Sequence, residues 1–236
     1  TRAFCAGGDI GRFPSMLGDA DASAQYARDC SRLLVHLDAM TKPVVAALNG
    51  MALGGGFELA IRCRAIVAMR DAWMQFPEIT LGILPGIGAM VVPYRRWPGA
   101  ATVFHGMLRQ AEKLTAARAH ELGIVAALAD DPRELVAVAV RQVRSLAGLP
   151  GNLARGPVAL PALEPITPAT ANGLALSTTA ITLMEDAIRG AAAASTLASA
   201  LEVGYRAFGA SACTAAAREG ISAFVERRRA DFTKTG

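Results

Sequence analysis

Glu58 and Glu78 are the residues of this 236-residue chain best suited to moving protons, because each stands in an apolar run where a carboxylate is costly unless paired or used. Glu58 follows three consecutive glycines in GMALGGGFELA (50–60), and Glu78 follows a proline in FPEI (76–79), on a backbone that the proline restricts. A second glycine loop, FCAGGDI (4–10), lies upstream. Glycines let an external group approach the backbone closely, and N–H groups at a helix start can face developing negative charge. Two such loops and two acids form one constellation, suited to general acid–base chemistry beside an oxyanion.

Other chemistries lack their residues. Gly54, Gly56 and Leu59 break the G-x-G-x-x-G dinucleotide pattern at its third glycine, and neither a G-x-x-x-x-G-K-[ST] phosphate loop nor a G-x-S-x-G elbow is present. His36, His105 and His120 fall on predicted helices away from both loops and read as surface or hydrogen-bonded histidines. Cys5, Cys30, Cys63 and Cys213 have no metal-ligand spacing and read as reduced, mostly buried thiols of a cytoplasmic protein. The net charge of +4 suits phosphate-bearing small ligands, but no Lys/Arg stripe with interleaved aromatics marks a nucleic-acid surface. Arg227, Arg228 and Arg229 taken alone read as a solvated helix face. No apolar run approaches the roughly 20 residues of a membrane span.

The elements that must hold the acids follow from periodicity. Residues 21–40 predict an amphipathic helix whose apolar face carries Ala22, Tyr26, Cys30, Leu33, Leu34 and Leu37. PVVAALNG is a short buried strand, and FELAIRCRAIVAM begins as helix and passes into strand near Ala65–Met69. MQFPEITLGILPGIG is loop with at most a short strand. Helices are predicted in AATVFHGML, in TAARAHELG with Gly123 as its cap, and in DPRELVAVAVRQVRSLA with Asp131 as N-cap and Pro132 at the first position. IVAAL is a short strand or link. Residues 150–176 read as a Pro-rich loop, and STTAITLMEDAIRGAAA, TLASALEVGYRAFGA and TAAAREGISAFVERRRADF as three late helices. The division is an α/β part at 1–125 and a helical part at 126–236.

AFCAGGDI, KPVVAALNGMALGGGFELA, FPEITLGILPGIG and REGISAFVERR, in that order, resemble the signature stretches of the crotonase (enoyl-CoA hydratase/isomerase) superfamily, over nearly the whole chain. The resemblance implies an α/β spiral of ββα turns followed by a helical trimerisation region, and a homotrimer or dimer of trimers. It implies an acyl-CoA thioester substrate, with no cofactor beyond the coenzyme A carried by that substrate. By the same resemblance, the N–H groups of Gly8, just after Ala6-Gly7, and of Gly55 form an oxyanion hole. Glu58 activates water and Glu78 exchanges a proton at the α-carbon. Asp9 and Ile10 line the coenzyme path, while Phe224 and Arg227 meet its adenine end, often across subunits. Most like is an enoyl-CoA hydratase. The alternatives are a ring-opening hydrolase of alicyclic acyl-CoAs, an isomerase, or a non-catalytic scaffold or RNA-associated relative.

Two departures bear on these expectations. The strand and helix that ordinarily open the family are not in the sequence given, so TRAFCAGGDI reads as the middle of a domain. GAMVVPYRRWPG replaces the run many hydratases carry after the second acid, which leaves the acyl group open, and Gly86 stands where thioester hydrolases often have an acid. Phe57 and Phe76 read equally as acyl-pocket walls or core.

Overall fold

The computed structural model describes residues 3–167 and 169–235. Its chain alternates between two sheets. β1 (Ala3–Cys5) is followed by a 3-10 turn (Ile10–Ser15) and α1 (Ala20–Ala39); then come β2 (Val45–Leu48), β3 (Met51–Leu53), α2 (Gly55–Arg62), β4 (Ala65–Met69) and β5 (Trp73–Gln75). A second 3-10 turn (Glu78–Leu81) leads to α3 (Val92–Arg96), α4 (Ala101–Gln110), β6 (Leu114–Thr115), α5 (Ala116–Glu121), β7 (Ala127–Ala129) and α6 (Pro132–Leu146).

One sheet has the order β1-β3-β5-β6 and the other β2-β4-β7. All pairings in the two sheets are parallel except β5 with β6. Parallel strands need crossovers and covered faces, and Ile66 of β4 and Met74 of β5 are buried at 0 % exposure, as are Ile61, Phe76 and Phe104. Phe57 and Phe76 pack ring on ring, 5.0 Å between centroids, inside this core. Asp131 caps α6 through the N–H groups of Arg133 and Glu134, with Pro132 in the first turn, as the sequence implied.

Beyond residue 150 the chain is mostly helical: α7 (Thr178–Ala193), α8 (Leu197–Ala212) and α9 (Ala215–Val225). The Pro-rich stretch also contains a small antiparallel pair, β8 (Thr170–Ala171) with β9 (Leu174–Ala175), where a loop was expected. Asn172 and Gly173 turn it at φ 50° and 71°, the left-handed pair a tight hairpin requires. α9 also stops earlier than expected. Arg227 takes φ 56°, which ends helical backbone, so Arg227–Arg229 form no helix face.

The apolar face of α1 is rotated from its expected position. Ser23, Ala24, Ala27, Ser31 and Leu34 are buried, while Leu33 is 65 % exposed. Close approach to α8 accounts for this: a Cβ on Gly209 would sit 3.0 Å from the Cβ of Ala24, so only small residues fit the contact. Among the cysteines, Cys63 is buried, Cys5 and Cys213 are half-buried and Cys30 is exposed, against the expectation of mostly buried thiols. An α1 surface that lines a cavity leaves Cys30 open. Among the described residues no helix is long and apolar enough to cross a membrane.

Candidate active site

The three glycines before α2 each answer a different steric demand. Gly54 caps the helix at φ 48°, ψ −124°, and a Cβ there would collide with Glu78 Oε1. Gly56 backs onto β1, where a Cβ would lie 2.7 Å from that of Cys5. Gly55 faces the other glycine loop: a Cβ on it would stand 3.7 Å from the Gly8 nitrogen. Gly7 makes the approach possible at φ 95°, with Leu53 O 2.9 Å from where its Cβ would be. No acceptor among the described residues takes the N–H of Gly8 or of Gly55. The Gly8 amide in its loop and the Gly55 amide at the start of α2 therefore stand near one another with hydrogen-bonding capacity unused.

Gly8, Gly55, Glu58 and Glu78 line one cavity of about 100 Å3. α2 brings Glu58 there one turn into the helix, and the 3-10 turn after Pro77 brings Glu78. Its remaining walls are mainly apolar: Phe13, Tyr26 and Ala27, Ile83 and Leu84, and Phe208 of α8. Gly86 belongs to the same wall, where a Cβ would press within 3.1 Å of the Phe208 ring.

The two carboxyls differ in what holds them. Glu58 Oε1 accepts N–H bonds from Ile87 and Ala89, 2.9 Å each. Glu78 Oε2 is buried without a partner among the described residues. Burial raises the Glu58 carboxyl, while the Ala89 and Ile87 amides and the Arg62 charge oppose the rise. Burial lifts Glu78 to about 8, and the Glu58 charge adds to it. Two acids sharing a cavity cannot both ionise cheaply, and the donors favour the charge on Glu58 and the proton on Glu78.

Arg62, one helical turn beyond Glu58, was not singled out from the sequence. Its guanidinium, 0 % exposed, pairs with Asp38 and donates to Ile87 O at 2.8 Å. The 86–89 turn is thus held through amides by Glu58 and through a carbonyl by Arg62. Only the i, i+4 spacing on α2 hinted at this. Tyr26, Cys30 and Phe208 were likewise missed as cavity walls, because an apolar residue on a helix gives no sign of whether it meets core or cavity.

Other expected residues lie elsewhere. Asp9 accepts from Gly11 N at 3.0 Å and caps the 3-10 turn, Ile10 packs against the apolar cluster that α1, α8 and α9 share, and Ala6 is exposed. Phe224, 51 % exposed, and Arg227 do not line the cavity within one chain. His120 Nδ1 meets Val125 O, whereas His105 is buried against the Tyr94 hydroxyl with Nε2 unpartnered, so it is only half satisfied. No group of three or more metal-ligating side chains occurs among the described residues.

The profile of the enoyl-CoA hydratase/isomerase family matches residues 1–155. A probable enoyl-CoA hydratase of Bacillus subtilis is 37% identical over 57% of this chain and 51% of its own length. A crotonyl-CoA hydratase of Syntrophomonas wolfei is 31% identical over 98% of the chain and 76% of its own. The chain spans about half the length of the first curated relatives it matches. A crystal structure of an enoyl-CoA hydratase from Mycobacterium avium subsp. paratuberculosis shares the fold, with a TM-score of 0.65 at 21% identity, over 99% of this chain and 77% of that one. With its parallel sheets, crossed glycine loops and helical C-terminal region, the chain belongs to the enoyl-CoA hydratase/isomerase (crotonase) family.

Proposed function

We propose that the protein is an enoyl-CoA hydratase, adding water across the 2,3 double bond of an enoyl-CoA thioester. The supporting observation is a pair of buried carboxyls in one cavity beside two unengaged amides, Glu58 held by two backbone donors and Glu78 Oε2 meeting none among the described residues. The Gly8 and Gly55 N–H groups polarise the thioester carbonyl and hold the enolate oxygen. Glu58, ionised, takes a proton from water as it attacks C3, and Glu78, protonated, delivers one to C2. Glu78 then holds the charge that Glu58 gave up, and exchange with solvent resets the pair.

In this reading Asp9 and Ile10 border the coenzyme path, and Phe224 and Arg227 of one subunit reach the adenine of the next in a trimer. No cofactor is needed beyond the coenzyme A of the substrate, and the enzyme works in the cytoplasm. Light scattering tests the assembly, with a trimer or a dimer of trimers as the expected mass.

Loss of enoyl-thioester absorbance on adding crotonyl-CoA tests the activity. Glu58→Gln and Glu78→Gln are each expected to lower kcat by about 10²- to 10⁴-fold. Glu78→Gln should in addition stop α-proton exchange. Turnover unchanged in either variant, or binding of several enoyl-CoAs without turnover, would sink the proposal.

A further inference from the structure

A second cavity, of about 280 Å3, opens at the end of α2 remote from the helix start that carries Gly55, and no residue lines both cavities. It is ringed by Lys42, Arg62, Arg64, Arg96 and Arg155 against one carboxylate, Asp38. Arg62 uses that carboxylate. Lys42, Arg64, Arg96 and Arg155 form no ion pair among the described residues. Arg64 meets Leu149 O, and Arg96 meets Cys63 O through one nitrogen.

Arg96 is 9 % exposed, and its Nε has no acceptor among the described residues. A guanidinium withdrawn from water with donors unused is costly. Burial pulls it down to about 10, and Arg62 and Arg64 add to this against Asp38. Like charges around one concavity focus a positive field that a small anion relieves. Arginine forks fit tetrahedral oxyanions through paired N–H bonds. The cations ring one depression rather than form a stripe, and the Pro-rich segment walls it through Pro150, Gly151 and Arg155.

We infer that this cavity is a binding site for a phosphate group, separate from the acyl site and independent of the reaction assigned there. The group is either free phosphate or the phosphate of a nucleotide. Room exceeds one water's share of about 30 Å3 several times over, enough for a tetrahedral oxyanion.

Calorimetry and thermal unfolding of the full chain, with inorganic phosphate in one arm and adenosine 3′,5′-bisphosphate in the other, test this at ionic strength matched with chloride. Saturable binding is expected in at least one arm. Lys42→Gln and Arg155→Gln, both at exposed positions, should each weaken it about tenfold while crotonyl-CoA turnover is unchanged. Arg96→Met should abolish it, with circular dichroism to confirm folding. Phosphate alone sufficing assigns the site to the free anion, and a response only to the bisphosphate assigns it to a nucleotide. No saturable effect in either arm, or binding that survives Lys42→Gln and Arg155→Gln undiminished, overturns the inference.

Discussion

Two glutamates with the same chemistry are pushed towards different protonation states because their hydrogen-bond partners differ. Glu58 is met by two backbone donors, and Glu78 Oε2 by none. This has a signature in stability. Free Glu78 ionises near 4.5, but in the fold it holds its proton to about 8. The unfolded chain therefore binds fewer protons between those values, and stability contributed at this position falls as pH rises through the window. Glu78→Gln removes the penalty: its melting temperature should draw level with wild type near pH 4, exceed it increasingly up to about pH 8, and then hold a constant lead. The same proton predicts the rate. The kcat of the wild type should decline above about pH 8 as the Glu78 acid is lost, read in crotonyl-CoA assays across pH. At the cavity wall, Gly86→Ala places a methyl against Phe208 and is expected to raise KM for longer enoyl chains more than for crotonyl-CoA.

At the scale of elements, α2 does the work of alignment. Its first turn presents the Gly55 amide and Glu58, and its last residue, Arg62, reaches Asp38 of α1 and the carbonyl of Ile87. Ser31 accepts from Arg62 and from the Tyr205 hydroxyl at 2.7 Å, which ties α8 to the same network. Removing one partner of a buried ion pair strands the other charge. Arg62→Met should thus cost about 3–5 kcal/mol in urea unfolding, far more than Asp131→Ala, the loss of one helix cap at about 1 kcal/mol. Much at this scale was legible beforehand: the helix-to-strand passage near residue 65, the Asp131 cap of α6 and the short strand after Pro43 all follow from local pattern. The Arg62 network was not, because its partners are distant in sequence and pair only once α1 and the 86–89 turn are packed.

Across the whole molecule, the helical C-terminal region and the sheets are interlocked. β7 lies past residue 125 yet pairs with β4, and α9 rests on the turn that carries Glu78. Gly82 (φ 67°) and Gly220 permit this contact, since a Cβ on Gly82 would strike Ala216 and one on Gly220 would lie 2.8 Å from the Leu81 Cα. Gly220→Ala should therefore destabilise the protein by about 1–3 kcal/mol and reduce crotonyl-CoA turnover at a distance, through displacement of the turn, with substrate affinity less affected. The apolar Phe224 and Val225 just beyond this contact remain 51 % and 56 % exposed in a single chain, a surface that fits the proposed assembly.

The sequence by itself determined the glycine loops, both acids and most elements, because turn chemistry, caps and apolar period act over a few neighbouring residues. It also carried the family resemblance. Only the tertiary structure decided which acid holds the proton, which face of α1 is buried, that Phe57 and Phe76 are core, and that five cations gather around one depression. Those outcomes depend on burial and on partners tens of residues away, and solvent exclusion and charge–charge distance exist only after the chain has packed.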